Sequence, residues 1–178
     1  MSATPFLRPL PPFEPRDAVL AAAPLVAGTA VGVATNPRAG GWYQRLSKPA
    51  WTPPGAAFGP VWTVLYTLMG LAATIVARAG REQLPGGLAE PRQRADLALG
   101  LFGVQLVLNL LWSVVFFGAR QVKPAGVELA ILWASIIATV VAFLRVRVLA
   151  GVLLLPYLAW TTFAGLLNAE LIRRNPRA

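Results

Sequence analysis

The 178-residue chain is 56% hydrophobic and only 13% charged, the reverse of a soluble globular balance, and it contains neither histidine nor cysteine. Those absences exclude thiolate nucleophiles, disulfides, imidazole ligands and Ser-His-Asp hydrolysis, and they leave seven acids as the only charged metal ligands. The net charge of +9 does not point to nucleic acid, because Lys and Arg fall between and after the apolar runs and no basic stripe interleaves with stacking aromatics.

Residues 1–17 include Pro5, Pro9, Pro11, Pro12 and Pro15, so a disordered proline-rich tail is expected there. Residues 18–175 then read as one transmembrane domain. Its first apolar run, Ala18 to Thr35, is rather long for a signal-peptide core and is taken as a retained span. Four further runs follow, near Phe58–Ala79, Leu97–Gly118, Pro124–Leu144 and Val148–Ile172, each close to the roughly 20 residues a membrane helix needs. The expected fold is therefore an all-α membrane protein, a five-transmembrane-helix bundle with its termini on opposite sides. Pro24 and Pro156 fall inside runs, where kinks are expected. The basic residues do not fix the orientation: Arg8, Arg16, Arg78, Arg81, Arg92, Arg94, Arg145 and Arg147 on one face balance Arg38, Arg45, Lys48, Arg120, Lys123, Arg173, Arg174 and Arg177 on the other.

Between the first two spans, residues 36–57 form a long connection that holds W-Y-Q-R-L-S-K-P-A-W-T-P-P from Trp42 to Pro54. Its rings suit the headgroup level and its prolines stiffen it, so two readings stand side by side: an aromatic belt, or a lid over the bundle with Arg45 and Lys48 offered to a ligand carboxylate. In the second span Trp62 and Tyr66 share a face with Met69 and Gly70. In the third, Gln105, Asn109, Trp112 and Phe116 share one, and in the fifth Trp160, Ala164, Leu167 and Asn168 line up. Amides are penalised in lipid, so these faces should point inward, with the amides hydrogen-bonded to one another or to backbone across helices. The aromatics make flat walls, where a packed membrane interface tends to use small residues. Glu128 lies near the start of the fourth run and is expected to pair with Lys123 or Arg120. Gly28-Thr-Ala-Val-Gly32 fits close helix contact within the bundle or between subunits.

Four ordered motifs resemble the TspO/MBR family, the tryptophan-rich sensory proteins that include the mitochondrial translocator protein, or peripheral benzodiazepine receptor. They are the loop motif at 42–54, F-G-P-V-W-T-V-L-Y-T-L-M-G at 58–70, N-L-L-W-S-V-V-F-F-G-A-R at 109–120 and P-Y-L-A-W-T-T-F-A-G-L-L-N at 156–168. The resemblance covers about Ala18 to Arg174. It implies a five-helix bundle, often dimeric, that binds porphyrins and other hydrophobic ligands beneath the first connection. By the same resemblance, Trp62 and Trp160 correspond to pocket tryptophans implicated in porphyrin binding and breakdown. Tyr66, Asn109, Trp112, Ala164 and Leu167 correspond to further lining residues, Trp51 to a ligand contact in the lid, and Trp42 and Lys48 to lid positions. Two departures stand out. Gly55-Ala56-Ala57 replaces a Trp that many relatives carry after the Pro-Pro, which removes part of the lid wall, and Leu167-Asn168 is followed by Ala169-Glu170 where sterol-binding members have Tyr, which argues against sterol recognition.

The expectation is a multi-pass membrane protein of the bacterial cell envelope, a receptor-like binder of tetrapyrroles, porphyrin or haem, for sensing, trafficking or disposal. It requires no cofactor, and its partners are the bilayer, a hydrophobic small molecule and a second copy in a homodimer. With no histidine, free porphyrin or externally ligated haem is expected in place of histidine-bound haem. No catalytic residue is assigned with firmness. Trp62 and Trp160 would serve if the protein degraded porphyrin with light and oxygen. A porphyrin transporter is the other rival, although no row of intramembrane charges marks an ion path.

Overall fold

The computed structural model describes residues 10–82 and 90–176, and all regular structure among them is helical. The helices are α1 (Pro15–Arg45), α2 (Gly55–Ala79), α3 (Glu90–Ser113), α4 (Val122–Val146), α5 (Val148–Leu153) and α6 (Leu155–Arg174). A π-helical turn, Val114–Gly118, continues α3. Five segments are long and apolar enough to cross a membrane: 15–35, 55–79, 92–118, 122–146 and 148–174, the last composed of α5 and α6 together. Passing round the bundle, the order is α1, α2, α5–α6, α4, α3 and back to α1, with α2 also touching α3 across the interior.

The first helix begins earlier than its prolines suggest. Residues 1–9 lie outside the described residues, but α1 already begins at Pro15, because proline at the first helical turn gives up an N–H that has no helical partner. Asp17, expected in the tail, is fully buried. Its carboxylate accepts the Glu14 backbone N–H at 2.9 Å and both Arg81 nitrogens, Nη1 at 2.9 Å and Nη2 at 2.7 Å. Arg78 adds two bonds to the Pro11 carbonyl, at 2.6 and 2.9 Å, and the pair Arg147–Glu82 ties α5 to the end of α2. These fork-shaped guanidinium contacts close the end of the bundle away from the α1–α2 connection. Asp17 in turn holds the Arg81 guanidinium above its ordinary range, chiefly through their hydrogen bonds.

The first connection is shorter than expected. The α1 helix runs on to Arg45, so Trp42 and Tyr43 stand on its last turns and the true loop is 46–54. Pro24 leaves α1 unbroken, whereas the fifth span is interrupted at Leu154. The physical cause is Pro156, which has no N–H for the Val152 carbonyl and whose ring crowds that turn.

Small residues set where α1 and α2 touch. A side chain at Gly70 would collide with the Ala21 backbone, and one at Gly28 would overlap the Tyr66 ring. The first glycine of the G-x-x-x-G match is therefore used inside the bundle. Nearer the loop the two helices part, and a Cβ on Gly32, Gly40, Gly55 or Gly59 would meet nothing within 4 Å.

Candidate ligand cavity

The three inward faces converge as their spacing requires. Tyr66, Met69, Gln105, Asn109, Phe116, Leu167 and Asn168 are all buried, while Trp62, Trp112 and Trp160 are half-buried around them. Between them lies a narrow cavity of about 40 Å³ in the loop-side half of the bundle, smaller than a bound small molecule needs, so a larger ligand must part the rings that wall it. Helix α2 supplies Phe58 and Trp62, α3 supplies Asn109 and Trp112, and the π-helical turn supplies Phe116 and Phe117. Helix α4 contributes Leu129 and Leu132, and α6 contributes Trp160, Ala164, Leu167 and Asn168.

The walls are flat and their rings fix one another. Trp112 stacks on Phe116 at 4.9 Å and 15°, and Trp62 on Tyr66 at 5.1 Å and 29°. Trp160 leans on Phe163 at 5.5 Å and meets Phe58 edge-on at 5.9 Å. Such offset and edge contacts are worth about 0.5–1.5 kcal/mol each beyond their burial, so the walls are held before any ligand arrives. The π-helical turn explains an otherwise awkward fact: the adjacent residues Phe116 and Phe117 both pack on Trp112, where an α-helix would point them some 100° apart.

Polar groups are sparse and their pairing differs from the expectation. Asn109 Oδ1 accepts the Tyr66 hydroxyl at 2.8 Å. Gln105 and Asn168, expected to bond across helices, have no partner for either amide atom, and Trp112 Nε1–H has none either. The amides lie at different depths: Gln105 is one turn deeper than Asn109, and Asn168 sits beside Gly126 on α4, whose missing side chain makes room for it. Asn168 and Trp112 both line the cavity, and the amide atoms of the one and the indole N–H of the other are buried beside it without a partner. Glu128 is buried with neither oxygen hydrogen-bonded, which corrects the expected pair with Lys123. Five residues apart on one helix they point to different faces, and Lys123 donates instead to the Pro176 carbonyl at 2.6 Å.

The loop covers this cavity without lining it. Lys48 is not turned to a ligand: its ammonium donates to the carbonyls of Tyr43 at 2.7 Å, Gln44 at 3.1 Å and Leu46 at 3.3 Å, capping the exposed carbonyls of α1. Ser47 and Asn175 exchange two hydrogen bonds, at 2.9 and 3.0 Å, which pin the loop to the end of α6. Trp51 is half exposed and packs edge-on against the outer side of Phe163 at 5.6 Å. Trp42 meets Phe116 edge-on at 5.6 Å from behind the wall. Of the residues singled out in the sequence, Trp62, Asn109, Trp112, Trp160, Ala164 and Leu167 thus meet around the cavity, whereas Trp42, Lys48 and Trp51 support or cover it, and Tyr66 backs it from α2. Phe58 and Phe163 were legible in principle, lying four before Trp62 and three after Trp160 on the same faces. Leu129 and Leu132 carry no signal that separates them from ordinary core residues.

Among the described residues no group of acids could hold a metal ion. The chain matches the sequence model of the TspO/MBR family over residues 20–174. It is 39% identical to Protein CrtK of Rhodobacter capsulatus over 77% of this chain and 80% of the relative. It is 38% identical to Tryptophan-rich protein TspO of Chlorobaculum tepidum, over 82% and 87%, and 42% identical to the human Translocator protein, over 75% of each chain. With a match that spans most of the chain, and five apolar spans arranged round a tryptophan-walled cavity, this multi-pass membrane protein belongs to the TspO/MBR family.

Proposed function

We propose that the protein is a receptor-like binder of tetrapyrroles and similar flat hydrophobic ligands, acting in their sensing, trafficking or disposal. The observation that carries this reading is the cavity itself: stacked tryptophan and phenylalanine walls, with the Asn168 amide and Trp112 Nε1–H buried beside it and unpaired. Flat rings gain both burial and stacking there, while the amide and indole orient a heteroatom at the edge. The chain has no histidine or cysteine, so a tetrapyrrole would be held by stacking and hydrogen bonds, without an imidazole or thiolate axial ligand. Lys48 is withdrawn into the α1 cap, which leaves the exposed Arg45 as the lid-side cation for a ligand carboxylate. Relatives named Tryptophan-rich sensory protein and Translocator protein fit a role in sensing or translocation. Titrating protoporphyrin into the protein in lipid nanodiscs tests the proposal. Saturable quenching of tryptophan fluorescence that weakens in a Trp62→Ala variant is expected, and a non-saturable response identical in both proteins would refute it.

A second reading, light- and oxygen-dependent degradation of porphyrin, is favoured by one feature: three oxidisable indoles, those of Trp62, Trp112 and Trp160, line the same cavity. Illuminating the saturated complex under oxygen decides it, since turnover requires loss of porphyrin absorbance beyond that of free porphyrin in empty nanodiscs.

A further inference from the structure

We infer that the hydrophobic ligand reaches the cavity sideways from the bilayer, through a cleft between α1 and α2, and not past the loop; this rests on the reading of the inner cavity as a ligand site. The cleft has a volume of about 620 Å³ and runs from Leu25 and Tyr66 within the spans to Gly40 and Gln44 near the loop. Its floor is where Gly28 packs on Tyr66, and beyond that point the helices splay.

Two independent observations mark the cleft as a passage. Its walls carry Gly32, Gly40, Gly55 and Gly59, none of which has a neighbour within 4 Å of a would-be Cβ. With no side chain at these four positions, the space between the helices stays open. Separately, the cleft and the inner cavity share four residues, Tyr43, Phe58, Trp62 and Phe117, which make up the partition between them. The partition is closed by ring contacts, Tyr43 on Phe117 at 5.8 Å and Phe117 on Trp112 at 5.7 Å. Phe117 lies in the π-helical turn, a local register defect able to change more cheaply than an intact helix. The loop route is fastened by stronger bonds: the Ser47–Asn175 pair and the three carbonyls held by Lys48. The occupant of the cleft is the cavity's own flat, apolar ligand in transit, since only that four-residue partition separates the two spaces and the cleft lies at bilayer depth.

The test uses Gly32→Phe and Gly59→Phe, which add a ring to the cleft at glycines that do not themselves line the cavity; Gly32 is the cleaner of the two, since Gly59 lies three residues before Trp62. In nanodiscs, stopped-flow mixing with protoporphyrin should show association and release both slowed roughly tenfold, with the equilibrium affinity unchanged. Brominated acyl chains report without ligand: they should quench the fluorescence component that disappears in Trp62→Phe, and Gly32→Phe should abolish that quenching. Unchanged rates in both glycine variants overturn the lateral route. Loss of affinity with faster release also overturns it, by making the cleft part of the binding seat. If the unaltered protein binds no protoporphyrin, the cavity reading fails by itself, and the bromolipid result decides the cleft, absence of quenching sinking it.

Discussion

The Tyr66 hydroxyl donates to Asn109 Oδ1 across 2.8 Å, joining a residue of α2 that lines the cleft to one of α3 that lines the cavity. Both partners are buried, so removing one leaves the other unsatisfied in a region with little water. Tyr66→Phe should lower stability by about 1–2 kcal/mol, the usual cost of an orphaned buried acceptor. Thermal unfolding in detergent checks this, and a melt identical to the unaltered protein would show that the bond contributes nothing.

Asn168 makes the opposite prediction. Its amide is 97% buried by residue exposure, given a relative exposure of 3%, and neither atom is paired, so its presence disfavours the ligand-free fold. Asn168→Leu should raise thermal stability, by about 1 kcal/mol, while weakening protoporphyrin binding about tenfold. Paired melts and titrations check both signs. A variant that loses stability and keeps full affinity would show that the amide is structural.

At the other end of the bundle, Arg81 and Asp17 form a two-pronged ion pair around a fully buried carboxylate. Arg81→Met leaves that carboxylate without its main partner and should cost about 3 kcal/mol or more, because breaking a buried pair strands a charge. Replacing both residues, with Asp17→Asn added, should recover part of the loss. Chemical unfolding of the three variants measures the coupling.

Gly70 and Gly59 lie on one helix but in different surroundings. Gly70→Ala drives a methyl into the Ala21 backbone and should destabilise by about 1–3 kcal/mol, whereas Gly59→Ala meets nothing and should gain about 0.5–1 kcal/mol in helix propensity. Equal melting shifts would mean that α1 and α2 are not packed as described.

Much of this fold is legible in the sequence because bilayer thickness and helical periodicity are strict rules. The five runs give the spans, and the four-three-four spacing of Gln105, Asn109, Trp112 and Phe116 gives the inward face of α3. What escapes is whatever depends on backbone continuation or on partners distant in sequence. Nothing local marks Arg45 as the end of α1, so Trp42 and Tyr43 read as loop residues when they are helical. Lys48 reads as a free cation because the carbonyls it caps exist only once α1 has ended beside it. Phe117 enters the wall through a π-helical register shift that leaves no compositional trace. Asp17 reads as tail because its partner, Arg81, is 64 residues away.

Substitutions at two of the three cavity tryptophans, Trp62 and Trp160, separate holding a porphyrin from altering it. Trp62→Phe and Trp160→Phe keep a flat wall but lose the oxidisable indole, and the smaller ring should weaken binding by about 1–2 kcal/mol. At equal occupancy under light and oxygen, a degradation rate reduced beyond that of the unaltered protein would assign chemistry to these rings. An unchanged rate would confine them to binding.

The central claim, that the aromatic cavity binds tetrapyrrole, is tested most directly by titrating protoporphyrin into the protein in nanodiscs while recording tryptophan fluorescence and the porphyrin absorption band. The account predicts saturable binding of one porphyrin per chain, no spectral sign of an axial imidazole, and parallel loss of affinity in Trp62→Ala and Trp160→Ala with helix content preserved. Partitioning that never saturates, or affinity untouched by both substitutions, would contradict it.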